Sequence, residues 1–264
     1  MIERPRLGVI GARGWLGNAI VSAIVDAGVR KPYELTLSYR TGSPGRPSEA
    51  SWTQDNQALV DSAEVVIVSV RPEDFSALGI TAPGKLVMSV MAGVSVAELA
   101  AHFDTDRIVR AMPNAAASVR NSYTPWVASS GCTATDKALA AEVFQACGPA
   151  DEVETESQLD YFAAFTGTGP AYHALLADTL RMDAISRGIS PDVARRAASA
   201  LLVGSAKLIE RDGRCPSEVV QDFIDYEGMT AAALRAMRDA PLSQVVAAGI
   251  DAALARASTL QNTS

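Results

Sequence analysis

Three glycines spaced three apart, in Gly11-Ala12-Arg13-Gly14-Trp15-Leu16-Gly17, follow the apolar run Leu7–Ile10 and open the amphipathic stretch Leu16–Ala27. That stretch carries Leu16, Ala19, Ile20, Ala23 and Ile24 on one face and stops at Gly28. No other feature constrains the chain as much. Glycine lets a strand turn sharply into a helix and lets another group come close to the backbone. The helix N-terminus beyond it offers unpaired N–H groups and the positive end of the dipole to phosphate. The spacing is G-x-x-G-x-x-G, not the commoner G-x-G-x-x-G, but strand, loop and amphipathic helix are the context that a dinucleotide fingerprint requires. The loop predicts dinucleotide binding.

The rest of the first half fits that reading. Short apolar runs at Leu7–Ile10, Glu34–Arg40, Glu64–Val70, Leu86–Val90 and Arg107–Met112 alternate with helical patterns. Continuous apolar runs of this length suit strands buried on both faces, and the alternation predicts an α/β, doubly wound parallel sheet. A strand at Tyr123–Ser129, a helix at Asp136–Cys147 and a short strand at Asp151–Glu154 complete a first domain, 1–154. From 155 to 264 no strand is expected. Helices are predicted at Gln158–Phe165, Pro170–Arg187, Pro191–Arg211, Ser217–Asp225, Thr230–Asp239 and Leu242–Thr259. A thin helical layer of this size buries little surface alone, so it is expected to pair with a second copy as a homodimer.

Composition excludes several classes. Lys and Arg number 23 against 30 Asp and Glu, a net charge of −7, which argues against general nucleic-acid binding. Three widely spaced cysteines and two distant histidines suit neither a disulfide framework nor a metal site. No apolar run reaches the roughly 18 residues of a membrane span, and the N-terminus lacks the pattern of a signal peptide. The expectation is a cytoplasmic chain with no metal, no membrane and no nucleic-acid partner.

The strand tips carry the candidate chemistry. The second strand ends in Ser38-Tyr39-Arg40-Thr41, with no acid to hold a ribose 2′-hydroxyl. Arg40 offers a fork of donors to a 2′-phosphate, Ser38 and Thr41 add hydroxyls, and Arg13 a second cation. This predicts NADP, with NADPH preferred over NADH. Three further strands end in Arg71-Pro72, Met91-Ala92 and Pro113-Asn114, where an open sheet holds its ligand. Asn114 is read as an amide that holds a carboxamide or a water. In the second half, Thr168 or Gly169 is read as a helix cap with Pro170 as the first helical residue, whose N–H groups suit an anion.

Taken in order, the glycine loop, Ser69-Val70-Arg71-Pro72, Ser89 to Val94, Arg110-Ala111-Met112-Pro113-Asn114, Thr166 to Tyr172 and Gly204 to Lys207 resemble the pyrroline-5-carboxylate reductase family over nearly the whole chain. The resemblance implies a Rossmann domain followed by an all-α domain that dimerises. It also implies reduction of a cyclic imine to an amine by NAD(P)H. It places the coenzyme on Gly11, Gly14, Trp15, Leu16 and Gly17, on Ser38, Arg40 and Asn56, and on Val70, Arg71, Pro72, Met91 and Ala92. Tyr39 flanks the same corner. The substrate falls beside Met112 and Pro113, Thr168 and Gly169, and a loop that in the family reads Ser-Pro-Gly-Gly-Thr-Thr. Here that loop is Asp225-Tyr226-Glu227-Gly228-Met229-Thr230. The resemblance gives Thr230 the imine nitrogen, and Asp225, Glu227, Gly228 and Met229 the surroundings. Two acids stand where a substrate carboxylate is expected, which leaves a different cyclic imine, or a coenzyme-binding dimer without catalysis, as the alternatives. A short-chain dehydrogenase needs Tyr-x-x-x-Lys, which the chain lacks. A β-hydroxyacid dehydrogenase needs a lysine early in its helical domain, and none occurs between Asp151 and Ala206.

Overall fold

A computed structural model describes residues 5–261; the outermost residues of both expected domains, 1–4 and 262–264, lie outside the described residues. The first part runs β1 (Leu7–Ile10), α1 (Trp15–Asp26), β2 (Leu35–Ser38), β3 (Ser51–Thr53), α2 (Asn56–Ser62), β4 (Val65–Val68), β5 (Leu86–Ser89), α3 (Val96–Phe103), β6 (Ile108–Ala111), β7 (Thr124–Ala128), α4 (Ala134–Gln145), β8 (Ala150–Glu152) and α5 (Glu156–Phe162). The strands form one sheet in the order β3-β2-β1-β4-β5-β6-β7-β8.

Strand alternation splits the core into two layers. On one face Leu7, Val9, Val65, Ile67, Leu86 and Met88 pack with Ile20 and Ile24 of α1 and Phe144 of α4. On the other, Ile10, Val66, Val68 and Val87 pack with Leu59 of α2 and Leu99 and Phe103 of α3. Central strands are therefore apolar at nearly every position, with Ser89 of β5 and Arg110 of β6 as buried polar exceptions, which is why they read as apolar runs. The expected parallel sheet holds for every pairing but one: β6 and β7 run antiparallel, Arg110 opposite Val127. The connection between them, residues 112–123, carries only a 3-10 turn at Ala115–Val119 and no crossover helix. The edge strand β3 was not expected from the sequence. It is three residues long, without an apolar run, and forms because β2 offers it a parallel partner.

The chain divides into two compact units, one holding residues up to Thr168 together with those from Ala253, the other Gly169–Ala252. The boundary falls later than residue 154, because α5 is fastened to the sheet. Arg110, on β6 and only 1% exposed, pairs with Glu156 and with Asp160 (3.0 Å) of α5. Leu159 of α5 is fully buried with Met112 and Val127. Glu156 also accepts the Val96 backbone N–H at 2.9 Å.

The expected break between helices at Thr166–Gly169 is instead a π-helical turn, Ala163–Gly167. Thr168 does not cap forward; its hydroxyl donates back to the Ala164 carbonyl. Pro170 has no N–H for the carbonyl four residues earlier, Thr166, and the Asn114 side-chain amide donates to that carbonyl at 2.9 Å.

The second unit contains α6 (Gly169–Ser186), α7 (Pro191–Asp212), α8 (Pro216–Asp225), α9 (Met229–Asp239) and most of α10 (Leu242–Gln261). Within it α6 packs on α7 and α8 on α9. Helix α7 starts at Pro191, as expected, but the Ser190 hydroxyl makes no cap bond; it ends on Gly213 in the left-handed region. Among the described residues of this unit only Ala194, Ala198, Ile224 and Ala231 are buried, while Leu175, Leu176, Met182, Leu201, Val203 and Val245 are exposed. No described helix is long and apolar enough to cross a membrane.

Truncating the buried cation strands two carboxylates and opens a void. Arg110→Ala is expected to lose on the order of 3 kcal/mol of unfolding free energy, read by urea denaturation. A loss below about 1 kcal/mol would show that α5 is held by apolar packing alone.

Candidate functional site

The expected loop forms where β1 meets α1. Gly11 takes φ +78°, and a Cβ there would stand 2.4 Å from the Ser69 carbonyl oxygen at the end of β4. A Cβ on Gly17 would stand 2.4 Å from the Gly11 carbonyl oxygen. The loop is closed by Gly14 N–H donating to the Gly11 carbonyl at 2.9 Å. It is tied to β2 twice: the Gly11 N–H donates to Ser38 Oγ at 3.2 Å and the Ala12 N–H to the Ser38 carbonyl at 3.0 Å. No side chain caps α1; Gly14 stands at its N-cap. The first N–H groups of the helix therefore face a cradle that no side chain fills, as an anion site at a helix N-terminus requires.

A cleft of about 600 Å³ opens over the loop. Of the residues expected at a coenzyme, it brings together Gly11, Arg13, Gly14, Ser38, Tyr39, Arg40, Asn56, Val70 and Arg71. Asn56 is placed by Asp55, whose carboxylate accepts the Ala58 N–H at 3.0 Å and so starts α2. Arg13 is occupied in holding a loop: it donates to the Thr41 and Ser43 carbonyls at 3.1 and 2.7 Å. Thr41 lines the cleft too, as do Gln54, Ser69, Asp74, Ala77 and Leu78, which the sequence reading did not pick out. Asp74 had a signal: it closes the 3-10 turn begun by Pro72, directly after the Arg71-Pro72 strand tip.

Other expected residues stand outside that lining. Trp15 is 63% exposed at the start of α1, Leu16 packs partly on the core, and Gly17 serves the contact with Gly11. Pro72 opens its turn. Met91 is buried with its N–H donating to Ser89 Oγ at 3.2 Å, and Ala92 beside it is exposed. Asn114 is not free for a ligand: its Oδ1 accepts the Ala116 N–H at 2.9 Å and its Nδ2 holds Thr166. Its backbone N–H donates to Ser122 Oγ at 2.9 Å. Met112 is buried, and Pro113 and Thr168 are half-buried.

In the helical unit, Gly169 opens α6, its carbonyl bonded to His173 Nδ1 at 2.9 Å. The Asp225 carboxylate accepts from Gln221 Nε2 at 2.7 Å along α8. Glu227 has φ +56°. That is the left-handed region, where a glycine stands in the family loop. Gly228 stands at the N-cap of α9 without a side chain to cap it, and Met229 and Thr230 are exposed in the first turn.

The sheet order, the glycine cradle at its centre and the cleft beside it define a Rossmann-type α/β protein with a helical C-terminal unit. Residues 156–260 match the family model described as pyrroline-5-carboxylate reductase dimerisation, and residues 6–93 the one described as NADP oxidoreductase, coenzyme F420-dependent. A pyrroline-5-carboxylate reductase of Thermus thermophilus is 30% identical over 258 residues, covering 95% of this chain and 97% of that one. The chain belongs to the pyrroline-5-carboxylate reductase family. In fold it is similar to the Coxiella burnetii pyrroline-5-carboxylate reductase, with TM-score 0.89 and 24% identity over 98% of this chain and 99% of that chain. It is also similar to the Plasmodium falciparum pyrroline carboxylate reductase solved with NADP bound, with TM-score 0.80 and 20% identity over 99% of this chain and 100% of that chain.

Two stability measurements check the local geometry. Gly11→Ala, through left-handed strain and forced contact, and Gly17→Ala, through forced contact with the Gly11 carbonyl, are each expected to lose about 2 kcal/mol or more. Gly14→Ala, at ordinary φ with 3.1 Å to its nearest neighbour, is expected to lose less than about 1 kcal/mol; equal losses at all three would contradict the contacts. Glu227→Gly is expected to gain about 0.5–1 kcal/mol in thermal unfolding, since relief of a left-handed residue exceeds the added freedom of glycine in the unfolded chain. Unchanged or lower stability would remove the strain at that position.

Proposed function

We propose that this chain reduces 1-pyrroline-5-carboxylate to L-proline with NADPH, as a cytoplasmic homodimer assembled through its helical unit. The observation that carries the reading is the glycine cradle, placed in a chain that matches a reductase family from end to end. The residues present fit a dinucleotide. Side chains at Gly11 and Gly17 would force apart the backbone contacts that shape the cradle, and the uncapped α1 terminus supplies N–H donors for the pyrophosphate. Arg40, at a β2 tip without an acid, supports NADPH over NADH.

A nicotinamide held there would supply the hydride for the imine carbon, with the proton going to the nitrogen. The chain's own part is binding and orientation. The glycine cradle and the uncapped start of α1 would hold the pyrophosphate. Asn56, Arg71 and the turns at Pro72 and at Met91-Ala92 are assigned to the coenzyme. The family resemblance gives Met112, Pro113, Thr168 and Gly169 substrate roles, gives Thr230 the imine nitrogen, and gives Asp225, Glu227, Gly228 and Met229 the surroundings of that nitrogen. An imine accepts hydride readily only as the iminium, and carboxylates near it stabilise that cation. Glu227 and Asp225, which replace neutral residues of the family loop, also support a second reading, reduction of a different cyclic imine. The homodimer is supported by the exposed leucines, valines and methionine of the helical unit, a surface too apolar to be left in water.

The test is NADPH consumption with pyrroline-5-carboxylate beside its six-membered analogue. Turnover of the five-membered ring at the higher kcat/KM is expected. A preference for the six-membered ring would establish the second reading. NADPH binding without turnover of either would make the chain a coenzyme-binding dimer without catalysis.

A further inference from the structure

We propose that Asp74 sets the coenzyme selectivity of this chain by sharing Arg40 with the ribose 2′ position. The inference rests on the NADPH reading above and deepens it. The tip of β2 has no acid of its own, yet a carboxylate reaches that corner from across β1, on the 3-10 turn that follows β4. Asp74 Oδ1 lies 3.1 Å from Arg40 Nη1, and both line the cleft. Asp74 is the one carboxylate in that lining, beside three arginines. The main chain of Arg40 is fixed, since its carbonyl accepts from Gln54 Nε2 at 3.1 Å. Its side chain is 76% exposed and open to a ligand.

The pair serves the two coenzymes in opposite ways. A 2′-phosphate carries nearly two negative charges; Arg40 attracts it and Asp74 repels it. A free 2′-hydroxyl is a donor, and Asp74 is the acceptor it needs. An exposed ion pair is worth at most about fivefold in an equilibrium, so either ligand can part it. Arg13 keeps its charge but is anchored through Nη1 to the Thr41 and Ser43 carbonyls, so it contributes the same background in wild type and in every variant. The chain thus binds both NADPH and NADH. Arg40 pushes the ratio of their affinities one way and Asp74 the other.

The experiment is titration of the full chain with NADPH and with NADH at one fixed ionic strength, followed by nicotinamide fluorescence. Asp74→Asn is expected to raise the ratio Kd(NADH)/Kd(NADPH) three- to tenfold, and Asp74→Ser, a second variant should the first fold poorly, to move it the same way. Arg40→Ala is expected to lower the ratio tenfold or more. A ratio that stays within twofold of wild type, or falls, in the Asp74 variants while Arg40→Ala behaves as stated overturns the role of Asp74 and leaves the NADPH reading intact. If wild type binds neither coenzyme, the NADPH reading falls and this inference with it.

Discussion

At the centre of the sheet three stretches of backbone meet with no side chain between them. The Ser69 carbonyl at the end of β4 lies against Gly11, and the Gly11 carbonyl lies against Gly17 in the first turn of α1. A single Cβ at either glycine would part them. This contact sets the angle at which α1 leaves β1. It therefore decides that Ile20 and Ile24 reach the core layer under β1 and β4, and that the helix N-terminus opens onto the cleft. The ties from Gly11 and Ala12 to Ser38 then fix the β2 tip, and with it Arg40, at the edge of the same cleft.

A second constraint works farther along the sheet, through charge. Arg110 is buried on β6, where an unpaired guanidinium would be prohibitively costly. Glu156 and Asp160 answer it from α5. The chain then leaves the sheet through a π-helical turn, after which Pro170 cannot donate to the Thr166 carbonyl and the Asn114 amide does so instead. The strand tip Met112-Pro113-Asn114 and the turn at Thr166 are thereby one hydrogen-bonded unit, not two separate ligand-facing loops. The amide that looked available to a coenzyme is engaged by the backbone.

The helical unit follows another logic. Its helices carry long apolar side chains, but the four buried residues among those described are three alanines and one isoleucine. Such helices do not build a core within one chain, and their apolar surface is the physical content of the dimerisation match. The loop at Asp225–Thr230 retains the backbone of a glycine position at Glu227 while carrying a charged side chain, so strain and charge coincide at one residue.

Much of this was legible in the residues. Strands buried on both faces are mostly apolar, so β1, β4, β5 and β6 announced themselves despite Ser89 and Arg110, and α1 did so by its helical period. Glycine spacing between the first strand and the first helix located the turn over which the cleft opens, because few other residues permit that turn. The edge strand β3 was not legible, since its three residues gain their structure only from β2. Nor was the antiparallel pairing of β7, which depends on the length of a connection rather than on strand composition. The boundary at Thr168 instead of residue 154 depended on where the partners of a buried arginine lie in space. The commitments of Arg13, Asn114 and Asp74 were likewise decided by tertiary structure. Sequence order says which groups a side chain can offer, but only the folded arrangement says which of its neighbours have already taken them.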